Sequence, residues 1–348
     1  MQLAILAVLN NWGIRCQSVV GHSSGEIAAA VAAGYLTPEE AIKVAYYRGK
    51  AASNIQDVPK DAVGMLAVGL GTEKVQQYLL SVSSVEIGCI NSPNSVTLSG
   101  NLVQLTGLKT AIQQDGYFAQ ILRVDLAYHS SFMAEIAARY NDLLVQNCEL
   151  PLIGGRDVAM FSSVTGKINT DGCDAGYWTS NMVSPVLFNQ AMHEMISDPA
   201  GAEFLIEVGP SGALARPIAE IKQSMTGSVA TLEYVSACKR GPDAVQAIFD
   251  MAGRLFISGA SINMLEVNRD LEPAPPSIII DLPNYVWNHS IKYWYESEAS
   301  KDWRFRKFPN HDLLGSKILG TAWTAPSWRK TLKVQDLPWL KDHKVSST

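Results

Sequence analysis

The chain has 348 residues, room for two domains or for one large domain with an appendage. Its 47% hydrophobic and 18% charged residues describe a globular protein with a sizeable core, and a net charge of −5 offers no basic footprint for nucleic acid or an anionic membrane. Five scattered cysteines without a C-x-x-C pair point to reduced thiols in a cytoplasmic setting, and no apolar run reaches the ~18 residues of a membrane helix.

The opening "MQLAILAVLNNWG" has no positive leading region and no A-x-A-like site, so it reads as a buried helix feeding a strand that ends at Val19-Val20. A sharp turn follows, and Glu26-Ile27-Ala28-Ala29-Ala30 starts a strong helix former. In "GHSSG", Gly21 and Gly25 frame Ser23 as G-x-S-x-G, the pattern that lifts a serine hydroxyl off a sheet between residues without side chains. Ser23 is thus the candidate nucleophile, and the Ser24 N–H sits where an oxyanion donor belongs. A Gly/Ser-rich turn that merely caps a helix fits the same five residues, so the reading depends on partners elsewhere.

Gly34 is placed to cap that helix, and Thr37-Pro38-Glu39-Glu40 supplies an N-cap, a proline at the first helical position and a capping-box glutamate. The helix so opened runs through "AIKVAYYRGKAA". Residues 62–125 change character to β-α-β-β-α-β, with a turn at Asn-Ser-Pro-Asn and a last strand in "FAQILRVDL", the ferredoxin-like order. A helix over Ser131 to Asn147 resumes the larger core, followed by strand "VAMFSSV", helix "LFNQAMHEMI", strand "FLIEVG", helix "ALARPIAEIK", strand "TLEYVSA" and helix "AVQAIFDMAGRLFISG". Residues 265–283 are Pro-rich and patternless, as a linker is, and the aromatic, charged stretch after Trp287 suits a surface path. The final stretch has only short strand-like pieces.

A serine hydroxyl needs a base to take its proton. Among the six histidines, His22 adjoins Ser23 and supports the turn, His193 sits in a helix pattern, and His289 and His311 fall in the linker region. His129 in "VDLAYHSSFM" follows a strand and precedes a helix, where loops gather active-site residues. Arg48, on its own, reads as a solvated helix residue.

Several collinear stretches carry a resemblance: "GHSSGEIAAAVAAGYLTPEEAIKVAYYRGK", "NSPNSVTLSG", "RVDLAYHSSFM", "YWTSNMVSPVLFNQAM" and "EVGPSGAL". Over residues 1–262 the chain resembles the acyltransferase domain of iterative type I polyketide synthases, itself similar to bacterial malonyl-CoA:acyl-carrier-protein transacylases. "LPNYVWNHSIKYWYESEAS" resembles the linker of fungal highly reducing synthases, and "PSWRKTLKVQDLPWLKDHKV" the first strands of their dehydratase domain. The resemblance implies an α/β fold: an α/β-hydrolase-like core with a ferredoxin-like subdomain inserted over 62–125, a linker over 263–305, and an incomplete hotdog-type segment over 306–348. It makes Ser23 the acyl acceptor, His129 the general base, Asn181 the residue whose carbonyl orients His129, and Arg48 the clamp for the free carboxylate of malonyl. Tyr128, beside the base, goes with malonyl selection, and His22 counts among the substrate-binding residues.

No bound cofactor and no metal is implied. Malonyl-CoA is the substrate, the phosphopantetheine of an acyl carrier protein the acceptor, and the other domains of a homodimeric synthase the partners. The family's domain starts upstream, with a glycine-rich segment whose glutamine completes the oxyanion hole, so the sequence reads as truncated there. At the other end His343 matches the dehydratase base, but its acidic partner lies beyond Thr348, and no dehydration is expected. Two further readings stay open: a catalytically incompetent piece of a synthase, and a serine esterase of α/β-hydrolase type.

Overall fold

The computed structural model describes residues 1–53, 62–150, 157–198, 204–225, 232–241, 243–269 and 279–344. They divide into two compact units, residues 1–275 and 276–348. Part of the Pro-rich linker, 270–278, lies outside the described residues.

The first unit begins with helix α1 (Gln2–Asn11), which buries Ile5 and Leu9, and strand β1 (Ser18–Val20). A single 3₁₀ turn, Ser23–Gly25, leads directly into α2 (Glu26–Ala32). Gly34 (φ +78°) ends α2: its N–H bonds Val31 O and the Tyr35 N–H bonds Ala30 O, the paired closure that a left-handed glycine permits. Next comes α3 (Pro38–Ser53), where Thr37 Oγ1 accepts from Glu40 N as an N-cap should. The expected capping box is only half formed. The Glu40 carboxylate, largely buried, instead takes bonds from Lys43 Nζ and Glu149 N, because a distant backbone donor competes for it.

Residues 63–121 form β2 (Val63–Val68), α4 (Thr72–Leu79), β3 (Val85–Ser92), β4 (Ser95–Asn101), α5 (Leu102–Gln114) and β5 (Ala119–Ile121). Their four strands make one antiparallel sheet in the order β3-β4-β2-β5. Asn101 caps α5 by accepting from Val103 N and Gln104 N. One face of the sheet buries Leu66, Val96 and Leu98 against Leu105 and Ile112 of α5, all fully inaccessible. Side chains of this size contribute about 1.5–3 kcal/mol each on full burial, so this segment has a core of its own. The other face sends Met65 and Cys89 toward Phe188 and Met192. The last strand is shorter than "FAQILRVDL" suggests, because after Ile121 the chain leaves the sheet toward the His129 loop.

A 3₁₀ turn and α6 (Ala134–Asn147) follow, then β6 (Ala159–Phe161), α7 (Ala175–Val183), α8 (Phe188–Ser197), β7 (Phe204–Glu207), α9 (Ala215–Ser224), β8 (Glu233–Ser236), α10 (Ala244–Ile257) and α11 (Met264–Asn268). Strands β1 and β6 pair in parallel, as do β7 and β8. The α2, α3, α6 and α7 helices share a core around Val44, Tyr140 and Trp178, while α1 and α10 close on β8. Helix α7 is an element that the sequence pattern does not announce; Asp174 starts it by accepting from Tyr177 N.

In the second unit, α12 (Glu298–Phe305) and a minimal antiparallel pair, β9 (Ser316–Lys317) and β10 (Trp328–Arg329), surround a buried ion pair. Asp302 accepts from Lys317 Nζ at 2.6 Å, from Gly320 N and from Trp323 Nε1. Residues 285–295 expose Tyr285, Trp287, Trp294 and Tyr295, as their aromatic and charged composition leads one to expect.

The glycines of the serine turn are unequal. A Cβ on Gly21 would stand 2.3 Å from Glu26 N, against backbone that cannot yield. One on Gly25 would meet only the end of the Gln2 side chain, at 3.9 Å, and Gly25 has helical angles (φ −65°, ψ −18°). The expectation that both glycines are needed for clearance therefore holds for Gly21 alone. Gly21→Ala is expected to cost about 1–3 kcal/mol or more, whereas Gly25→Ala stays within about 0.5 kcal/mol. Denaturant unfolding of the two variants checks this, and equal destabilisation would contradict it.

Candidate active site

Strand β1 delivers Ser23 at its carboxyl end, in a left-handed conformation (φ +53°). Ser23 Oγ lies 2.6 Å from Nε2 of His129, which comes from the loop between β5 and α6. His129 is also left-handed (φ +63°), and these two are the only non-glycine residues with positive φ among the described residues of the first unit. Each such residue costs about 1–3 kcal/mol and persists only where its surroundings hold it. Here the hold is visible: His129 N bonds Met182 O, and a Cβ-free Gly21 admits the turn under Ser23.

Ring orientation follows from the second nitrogen. His129 Nδ1 donates to the Ser184 carbonyl oxygen at 3.0 Å, which leaves the Nε2 lone pair facing the serine hydroxyl. The contact expected from Asn181 is therefore made by Ser184, just beyond the end of α7. The main-chain carbonyl of Asn181 also faces the imidazole but acts on it more weakly than that of Ser184. Its side chain is engaged elsewhere: Oδ1 accepts from Arg48 Nη1 at 2.9 Å, and Nδ2 donates to Glu26 Oε2 at 2.8 Å and to Ser23 O at 3.2 Å.

Arg48 is buried on α3, on the same stripe as Ala41, Val44 and Ala51. Its guanidinium stands 5.7 Å from the centre of the Tyr128 ring. Asn181 Oδ1 is its sole hydrogen-bond partner among the described residues. Glu26, fully buried at the start of α2, takes bonds from Ser163 N and Tyr177 OH besides Asn181. Burial holds its carboxyl above the usual carboxylate range, and those three donors offset only part of that rise. His22 donates from Nε2 to Asn91 Oδ1 at 2.7 Å and packs its ring edge on Phe188, so it braces the turn against β3 and α8 while also lining the cavity.

That cavity has a volume of about 680 Å³, and Ser23, Ser24, Arg48, Tyr128 and His129 all line it. Its remaining walls are mostly apolar, with Met65 and Cys89 from the antiparallel sheet facing Ile27 and Ala28 of α2. Ser24 is exposed, and its main-chain N–H has no partner among the described residues, which leaves it available to a developing oxyanion. Among the described residues no group of three or more His, Cys, Asp or Glu side chains is placed to hold a metal ion. None of the helices described is long and apolar enough to cross a membrane. His343, in the second unit, is exposed, with its ring against Trp339.

Burial, and after it the Arg48 charge, push the His129 imidazole down to about 3. The ring is thus a neutral acceptor throughout the physiological range. An unfolded histidine takes its proton near 6.5, while the folded one refuses it until about 3, so the folded state loses stability as pH falls between those values. His22, also shifted down by burial, adds in the same direction. The unfolding midpoint is expected to drop on acidification below pH 6.5, with a shallower drop in His129→Gln. A variant whose acid sensitivity matches the parent would refute the assignment of a buried neutral ring.

Comparison with known proteins agrees with this geometry. The family model for the acyl transferase domain matches residues 1–261. A highly reducing polyketide synthase of Stachybotrys chlorohalonatus is 50% identical over 361 aligned residues, covering 100% of this chain and 15% of the synthase. A low-reducing polyketide synthase of Aspergillus calidoustus is 48% identical over 99% of this chain and 15% of its own length. The chain thus spans about 15% of the length of these curated relatives. Among solved structures, the acyltransferase domain from module 8 of the salinomycin polyketide synthase superposes with a TM-score of 0.66 at 25% identity, covering 76% of this chain and 60% of that one. The malonyl CoA-acyl carrier protein transacylase of Clostridium perfringens gives 0.62 at 25% identity, over 74% of this chain and 77% of that one.

Proposed function

Because the chain belongs to the acyl transferase domain family, we propose that it moves a malonyl group from coenzyme A to Ser23 and then to the phosphopantetheine thiol of an acyl carrier protein. The observation that carries this reading is the 2.6 Å Ser23–His129 contact in a cavity that the buried Arg48 also lines. In the first half-reaction, Ser23 Oγ attacks the thioester carbonyl while His129 Nε2 takes the hydroxyl proton. The Ser24 N–H receives the developing oxyanion. When the carbon–sulfur bond breaks, the imidazolium returns its proton to the departing thiolate. The second half-reaction reverses these roles: the carrier thiol gives its proton to His129, attacks the serine ester, and the serine oxygen leaves with that proton.

Selection follows from the same geometry. Arg48 keeps four of its five N–H donors without a partner among the described residues, and a planar guanidinium pairs with a carboxylate through two parallel bonds. An extender that carries a free carboxylate is held with its thioester toward Ser23, and an uncharged acyl group is not. Tyr128 under the guanidinium narrows the same wall.

The finer architecture belongs to this proposal. The strand order β3-β4-β2-β5 supports a ferredoxin-like subdomain set into an α/β-hydrolase-like core. For residues 306–348 we favour the beginning of a hotdog-type dehydratase segment in which His343 is the base, preceded by the linker over 263–305. The synthase is read as cytoplasmic and homodimeric. Incubation with malonyl-CoA and mass analysis of the Ser23 peptide test the central claim. A stable malonyl ester on Ser23 that a carrier thiol removes supports transfer, and release to water faster than to thiol would favour the esterase instead.

A further inference from the structure

We propose that Glu26 is a positioning residue for extender selection, acting through the Asn181 side chain to hold Arg48 fixed but unfilled; the inference rests on the reading of Arg48 as the carboxylate clamp. Glu26, Asn181 and Arg48 are all buried, with exposures of 0%, 2% and 8%. They form one line of hydrogen bonds: Arg48 Nη1 donates to Asn181 Oδ1 at 2.9 Å, and Asn181 Nδ2 donates to Glu26 Oε2 at 2.8 Å.

An amide has one accepting end and one donating end. Two acceptors, Glu26 Oε2 and Ser23 O, face the donating end, so the side chain cannot turn over. Its oxygen is thereby committed to Arg48. Glu26 is in turn held as an acceptor, since Ser163 N and Tyr177 OH also donate to it. Glu26 and Asn181 are thus satisfied within the protein, the condition under which buried polar groups rigidify rather than destabilise, and among the three only Arg48 keeps donors without a partner among the described residues.

The interposed amide solves an electrostatic conflict. A buried guanidinium needs a counter-charge. A carboxylate in direct contact would take two of its donors and compete with the substrate for the planar edge. Standing one amide away, Glu26 offsets the charge and leaves that edge open to the cavity. The same Nδ2 also binds the Ser23 carbonyl, so clamp and nucleophile are fixed to one another through Asn181. Among the described residues, Tyr140 and Tyr128 also influence Arg48, and Glu26 is the one carboxylate of the three.

The test compares loading of Ser23 by malonyl-CoA and acetyl-CoA in the parent chain, Glu26→Gln, Glu26→Asp, Asn181→Ser and the Glu26→Gln/Asn181→Ser double variant. Malonyl preference, the ratio of the two kcat/KM values, is expected to fall about tenfold in Glu26→Gln and in Asn181→Ser, mainly through the malonyl KM. Glu26→Asp, which keeps the charge, should retain more of the preference than Glu26→Gln. The double variant should be no worse than the more affected single one, because both break the same chain of bonds. Equal losses for both substrates, or losses that multiply in the double variant, would show a structural role and overturn the proposal. Should Glu26→Gln fail to fold, an unchanged preference in Asn181→Ser alone has the same force. If the parent chain loads no malonyl on Ser23, it is the proposed function that falls, a result distinct from any of these.

Discussion

Ser23→Ala is expected to abolish covalent acylation by malonyl-CoA, and His129→Ala to slow it by about 10²–10⁴-fold, the usual worth of a positioned general base. The two losses differ in kind. Without the Ser23 hydroxyl there is no acceptor, because Ser24, although adjacent, has an exposed side chain with no hydrogen bond to any base among the described residues. Without His129 the hydroxyl remains at the mouth of the Ser24 N–H but must lose its proton to water. The imidazole is suited to its task because it is neutral and because Ser184 O holds Nδ1–H, so both tautomer and direction are set before substrate arrives. Single-turnover loading followed by peptide mass mapping distinguishes the outcomes. Label that persists on the chain in Ser23→Ala, at Ser24 or elsewhere, would remove the serine turn from the mechanism. Unfolding midpoints measured alongside separate chemistry from stability, since removing either side chain leaves a backbone held in the left-handed region without its cross-bond.

Much of this site is legible in the residues because its parts have distinctive chemistry or spacing. A serine framed by glycines after a β-branched run announces a turn, and a histidine between a strand and a helix announces a loop position. Gly21 is needed for a reason the sequence can supply: the following helix passes close by. Gly25 is not, since its neighbourhood is open, and composition alone cannot tell a tight approach from a loose one. Arg48 could be found from its own helix, where a cation falls on the buried line of Ala41, Val44 and Ala51. Glu26 gives a similar signal, a charge opening a run of Ile27, Ala28, Ala29 and Ala30 that is buried throughout.

What stays hidden is whatever depends on main chain or on three-dimensional closure. The partner of His129 Nδ1 is the carbonyl of Ser184, a group every residue owns, so no residue type marks it. Asn181 is visible as a polar residue near the site, yet its direction is decided by Glu26, 155 positions away in sequence. Helix α7, which carries Asn181, has only nine residues; its buried Trp178, Asn181 and Met182 keep helical spacing, but one of the three is polar, so the apolar pattern is too short to announce a helix. The short β5 shows the opposite failure: an apolar alternation continues past the point where the chain is drawn off to form the loop that carries His129.

The second large effect is expected at Arg48. Arg48→Ala should lower kcat/KM for malonyl loading by about 10²-fold or more, the loss that follows removal of one partner from a buried hydrogen-bonded charge pair. Acetyl-CoA has no carboxylate to lose, so its loading should fall far less. A second consequence has a definite sign. Burial is the larger influence that holds His129 down and the Arg48 charge the next, so removing the charge lets the imidazole rise only part of the way toward 6.5. The base then becomes stronger while remaining mostly neutral at pH 8, which favours proton abstraction from Ser23 whatever the acyl group. Acetyl loading should therefore fall little or not at all in the same variant in which malonyl loading collapses. Arg48→Lys sharpens the argument: it keeps a cation but offers a point charge instead of a planar fork, and the Asn181 oxygen competes for its few donors. Its malonyl loading should lie between those of the parent and Arg48→Ala. Parallel losses for both substrates across the two variants would mean that Arg48 supports the fold of α3 and does not read the extender.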